Sequence, residues 1–130
     1  MAKQNAAYFY VAVETFTPCP PEPTWADIRV RPLEGQGVST SLRVECDRSL
    51  MRHSFPIGTV FILKAKLTDR EGGPFLYSYF DWDYCTIDRQ TADILIKQKN
   101  IGFFESARYV SLSKFKACGA ELYRRGELRS

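Results

Sequence analysis

The sequence predicts an α+β fold: a curved sheet or small barrel of five or six mostly antiparallel strands, of OB-like or SH3-like size, with one or two C-terminal helices. Three observations lead there. Apolar and polar residues alternate with a period of two over several short stretches before residue 88. Gly- and Pro-containing breaks separate those stretches. Beyond Asp88 the apolar spacing becomes helical. A chain of 130 residues predicts a single domain, 1–130, β-rich over 7–87 and helical or mixed over 88–130.

Tyr8 to Glu14 is dense in aromatic and β-branched residues and apolar on both faces, which predicts a strand that is central or covered on both sides. Pro18, Pro20, Pro21 and Pro23 force a loop or extended polyproline. From Trp25 to Leu33, Ala26, Ile28 and Val30 alternate with Asp27, Arg29 and Arg31. Glu34-Gly35-Gln36-Gly37 then predicts a hairpin connection. Over Ser41 to Cys46, Leu42, Val44 and Cys46 face inward while Arg43 and Glu45 face outward. These two stretches are expected to form a half-buried antiparallel pair.

Asp47 is placed to cap a short helical turn through His53. Pro56-Ile57-Gly58-Thr59 predicts a turn into a strong strand. Phe61, Leu63, Ala65 and Leu67 share one face of that strand; Ile62, Lys64 and Lys66 share the other. The polar stretch Thr68 to Pro74 reads as a hairpin loop, and Phe75 to Phe80 as the returning strand. Asp81 to Tyr84 either continues that strand with a bend or opens a loop. Asp88 then caps a helix that presents Ala92, Leu95, Ile96 and Lys99 on one face and ends at Asn100 and Gly102. Ala107 to Leu112 is a candidate sixth strand. From Ser113 onward, Phe115, Cys118, Leu122 and Arg125 fall on a helical stripe, against which Gly119 counts about 1 kcal/mol relative to alanine.

Composition narrows the function classes. With 45% hydrophobic and 14% aromatic residues, the chain has enough apolar surface to fold. The apolar run Ala6–Val13 is far shorter than the roughly 18 residues of a membrane helix. Met1 to Asn5 is not followed by a signal-peptide core, so a cytoplasmic protein without a membrane partner is expected. The net charge of +3 resides in residues 101–130, where Arg124, Arg125 and Arg129 add non-specific attraction for anions. Cys19, Cys46, Cys85 and Cys118 lack the short paired spacing of a zinc site and are expected to be reduced, with Cys46 and Cys85 buried. Gly35-Gln36-Gly37 and Gly72-Gly73 match no nucleotide-binding loop, so no cofactor is expected. His53 lies in a loop stretch, and no G-x-S-x-G elbow is present to make it a triad member.

The densest chemical feature is residues 75–84, with six aromatic residues in ten positions. If extended, Phe75, Tyr77 and Tyr79 share a face opposite Leu76, Phe80, Trp82 and Tyr84. Lys64 and Lys66, together with Arg29, Arg31 and Arg43, lie on the polar faces of neighbouring strands. Rings that stack on bases beside cations that neutralise phosphates make a platform for nucleic acid, single-stranded or structured. Tyr77, Tyr79 and Trp82 are the stacking candidates, Trp82 only if the strand bends before it. Arg29, Arg31, Arg43, Lys64 and Lys66 are the phosphate candidates. The competing reading makes these rings core and the cations ordinary surface. The same residue types also suit a protein-protein interaction module, such as an inhibitor, adaptor or accessory subunit. A third reading sets Asp81 and Asp83 on one side of a strand as a metal-dependent hydrolase pair, or around Trp82 as a sugar-binding group.

Overall fold

The computed structural model describes residues 8–17, 28–46, 55–70, 73–78, 84–103 and 112–123. Seven strands are described: β1 (Phe9–Phe16), β2 (Arg29–Pro32), β3 (Arg43–Glu45), β4 (Val60–Arg70), β5 (Gly73–Tyr77), β6 (Tyr84–Ile87) and β7 (Glu121–Tyr123). One α-helix, α1 (Arg89–Lys97), and a 3₁₀ helix (Leu112–Cys118) accompany them. The strand path β2-β1-β4-β5-β3 curls into a nearly closed, barrel-like mixed sheet, with β6 added along β4 and β7 along β6.

β1 and β4 explain the architecture. Their antiparallel register pairs Val11 with Leu63 and Ala12 with Ile62. Odd residues of both strands, Val11, Val13, Phe61, Leu63 and Ala65, fill the barrel interior with Val30, Val44, Leu76 and Tyr84. Even residues, Tyr10, Ala12, Val60 and Ile62, form the floor of a second layer. On that floor sit Ala92, Leu95 and Ile96 of α1 and Phe115 of the 3₁₀ helix, with Cys85, Ile87, Leu33 and Ile101. Both faces are therefore apolar because two cores share one wall, as the Tyr8–Glu14 stretch predicts.

Among the described residues, the expected pairing of residues 25–33 with 41–46 is not made. Both alternate as predicted, with Arg29 and Arg31 exposed around buried Val30, and Arg43 and Glu45 exposed around buried Val44. Yet β2 pairs with β1, and β3 pairs in parallel with β5. β2 and β3 close the barrel as neighbours without a shared ladder. Glu34–Gly37 is consequently not a hairpin turn. It carries the fully buried Gln36 to β1, where the Gln36 side chain stands in for a strand neighbour. Its Oε1 accepts from Ala12 N at 2.7 Å, and its Nε2 donates to Ala12 O at 2.8 Å and Leu33 O at 2.9 Å. The backbone carbonyl of Gln36 also accepts from Phe103 N at 2.7 Å. Gly35, at φ +93°, brings this segment against α1; a Cβ there would lie 3.2 Å from Ile96 Cγ2.

Further boundaries differ from expectation. The polar stretch 68–74 is mostly strand, since the β4–β5 ladder runs to Arg70↔Gly73. The returning strand is interrupted. Lys66 pairs with Tyr77 and Ile62 with Cys85, so three residues of β4 separate the two ladders, whereas seven positions of sequence separate their partners. Residues 79–83 of that span lie outside the described residues, as do Asp47–His53 and Ala107–Val110. Asp88 caps α1 as expected, accepting from Thr91 N at 3.0 Å. The Thr91 hydroxyl and backbone N–H hold its carboxyl below the usual carboxylate range.

Lys99 is not part of the helical face. It lies past the cap with φ 58°, in a Schellman closure formed by Lys99 N to Ile96 O and Asn100 N to Leu95 O. Gly119, at φ +89°, closes the 3₁₀ helix in the same way, with Gly119 N to Lys116 O and Ala120 N to Phe115 O. The helix expected through Arg125 therefore stops at Cys118, and Leu122 reaches the second layer from strand β7.

Candidate functional site

Among the described residues, the second layer covers the middle of the sheet's outer face, and cations gather to either side of it. Along β1, Tyr10 and Ala12 lie beneath α1 and the 3₁₀ helix, whereas Tyr8 precedes them in the open and Glu14 and Phe16 follow. The register places Lys64 across from Tyr10, and Lys66 across from Tyr77. Tyr8 is 44% exposed, with Lys64 Nζ 5.6 Å and Lys66 Nζ 5.7 Å from its ring centre. Glu45, Tyr77, Lys66 and Tyr8 thus form one transverse row over β3, β5, β4 and the start of β1.

The adjoining row holds Arg43 and Phe75. Phe75 is buried although it shares the outer face with Tyr77, and the Arg43 guanidinium lies 4.8 Å from its ring centre. Arg43 also makes a 3.2 Å ion pair with Glu45. The same arginine reaches the seam where the barrel closes, a recess of about 350 Å³ that Arg29, Arg31 and Phe16 also line. There the Arg31 guanidinium stacks 4.3 Å from the Phe16 ring centre. Its Nε donates to Glu14 Oε2 at 2.9 Å, and Arg89 Nη1 donates to Glu14 Oε1 at 2.9 Å. Arg29 has no carboxylate within ion-pair distance among the described residues.

Of the residues singled out in the sequence, Lys64, Lys66 and Tyr77 lie together, and Arg29, Arg31 and Arg43 line the seam, with Arg43 bordering both groups. Tyr79 and Trp82 lie outside the described residues, as do Asp81, Asp83 and His53. The aromatic stretch divides: Leu76 and Tyr84 face the barrel interior, while Phe75 and Tyr77 face outward. Tyr8, Phe16 and Arg89 were not singled out. Tyr8 and Phe16 end a strand whose centre is core, and only cross-strand register sets them beside cations. Arg89 opens α1 right after the Asp88 cap, and its approach to Glu14 spans 75 positions of sequence.

Cys85 is fully buried in the second layer, while Cys46 and Cys118 are half-buried; none of the three is in a disulfide. Burial pushes the Cys85 thiol up to about 12, with nearby Cys118 adding to the shift and a backbone contact at Ile62 opposing it. Among the described residues, no group of three His, Cys, Asp or Glu side chains is gathered closely enough to hold a metal ion, and no helix is long and apolar enough to cross a membrane. No family model, curated protein or solved structure matches this chain.

Proposed function

We propose that this protein is a small binding module for nucleic acid, single-stranded or structured, which it engages through the open part of the sheet's outer face. The observation that carries this reading is the row Tyr77–Lys66–Tyr8 with Lys64 beside it. Two rings flank a cation on a rigid sheet, at the inter-strand spacing of about 4.8 Å. A base stacks on an aromatic face, and an ammonium between two such faces meets the phosphate that links the bases. Lys66 has no carboxylate partner among the described residues, so its charge is available.

The open seam favours a second reading, that of a protein-interaction module. β2 and β3 each have one ladder partner among the described residues, and an extended segment of a partner adds to such an edge. Salt separates the readings, since phosphate contacts give a steep salt dependence and a strand-paired, aromatic-anchored interface does not.

The test is fluorescence anisotropy with labelled single-stranded RNA and DNA at two salt concentrations. Tyr8→Ala and Tyr77→Ala should each weaken binding by about 1–3 kcal/mol while the circular dichroism spectrum stays native. Lys66→Gln should lower the slope of log K against log salt by about 0.7. Absence of binding to either polymer at low salt refutes the reading.

A further inference from the structure

The seam recess does not end at Arg31. A second hollow of about 430 Å³ continues from it, sharing Phe16, Arg31, Thr40 and Ser41, and reaches Arg89 at the start of α1. The two hollows form one trough lined by Arg43, Arg29, Arg31 and Arg89, against the carboxylates of Glu14 and Glu34. We propose that this trough is the track for the phosphate backbone of a single-stranded polynucleotide, with Glu14 as its internal counter-charge. The proposal rests on the nucleic-acid reading and specifies the path and strandedness of the ligand.

Three observations support the track. First, Glu14 is only 14% exposed, whereas Arg31 and Arg89 are 45% and 56% exposed. The carboxylate buttresses two half-exposed guanidiniums from beneath, and Arg89 Nε also lies 3.7 Å from Asp93 Oδ1. Arg31 spends its Nε on Glu14 and stacks on Phe16, so both its Nη groups lack a hydrogen-bond partner among the described residues. A guanidinium held flat on a ring with its fork outward suits a phosphate, because two parallel N–H groups match two oxygens. Second, Arg43 belongs both to the trough and to the row beside Tyr77 and Lys66, so a strand stacked on the rings is led into the seam. Third, the trough is a recess between strand edges. A flexible single strand can enter it nucleotide by nucleotide, whereas the phosphates of a duplex stay on a stiff convex helix.

The experiment uses a labelled oligonucleotide of roughly 12 nucleotides, within the usual reach of a small barrel, and its duplex, titrated over a salt series. Wild type should prefer the single strand. Arg29→Gln with Arg43→Gln should reduce the salt slope by about 1.4, two single-strand phosphate contacts, with the melting temperature unchanged. Glu14→Gln keeps an acceptor for the arginines but removes the charge, and it should tighten binding several-fold. Single-strand binding with an unchanged slope in the double variant, or equal affinity for the duplex, overturns the trough and leaves the proposed function standing. No binding by wild type overturns both.

Discussion

Replacing Gln36 by leucine keeps the side-chain volume but removes three buried hydrogen bonds at once. The Ala12 N–H loses its only described acceptor, and the Leu33 carbonyl loses its amide donor. The Ala12 carbonyl keeps the Leu33 N–H at 3.0 Å. Two buried backbone groups are therefore orphaned, each costing about 1–3 kcal/mol, or about 2–6 kcal/mol together. A domain of this size is stable by roughly 5–15 kcal/mol, so the loss is a large fraction. Urea denaturation followed by circular dichroism reads it directly.

Gln36→Glu sharpens the test. Its carboxylate would face the carbonyl oxygens of Ala12 and Leu33, which raises the folded-state carboxyl pKa above the unfolded value of about 4.3. Stability is then greatest below that unfolded value and is lost as the pH rises through the folded one, so the variant should be weaker at pH 7 than at about pH 5. A loss below about 0.5 kcal/mol in Gln36→Leu, or the same pH profile for Gln36→Glu as for wild type, would show that the amide is not a strand surrogate.

Leu63→Ala, in the barrel interior, should cost about 2–5 kcal/mol in the same melts, and a change under about 0.5 kcal/mol would contradict the β1–β4 register. Lys99→Gly should stabilise by about 0.5–1 kcal/mol, because glycine holds the left-handed conformation without a Cβ clash; a loss of stability would refute the Schellman closure. Cys85 should resist maleimide at pH 8 until the chain unfolds, while Cys46 and Cys118 label first. Its raised pKa adds an alkaline limit: stability is full below the ordinary thiol value of 9.0 and falls as the pH rises above it, an effect that Cys85→Ser should diminish.

The strands were legible wherever one residue's environment follows from its own neighbours in sequence. Val30 between Arg29 and Arg31, and Val44 between Arg43 and Glu45, could only point inward between exposed neighbours, and they do. Partnership was not legible, because alternation says which face is inward and not which edge is taken. The 25–33 and 41–46 stretches look like a hairpin, yet Gln36 occupies the link and carries the two strands to opposite ends of the sheet path. Lys99 and the helical stripe through Arg125 misled for a related reason, although Gly119 counted against the stripe. A left-handed closure follows from hydrogen bonds across five residues, and apolar spacing carries no trace of it. The cations of the candidate site were readable as polar-face residues. Tyr8 and Phe16 became visible only once cross-strand register placed them beside Lys66 and Arg31.

Because β1 and β4 are the common wall of two apolar layers, opening either layer leaves the other without a floor. Amide exchange with deuterium should therefore be slowest at Val11–Val13 and Phe61–Leu63, where protection reports the global unfolding free energy. The 3₁₀ helix and β7 rest on the second layer alone. They should exchange earlier, through a partial opening that bares the Tyr10 side of the wall and leaves the barrel sealed.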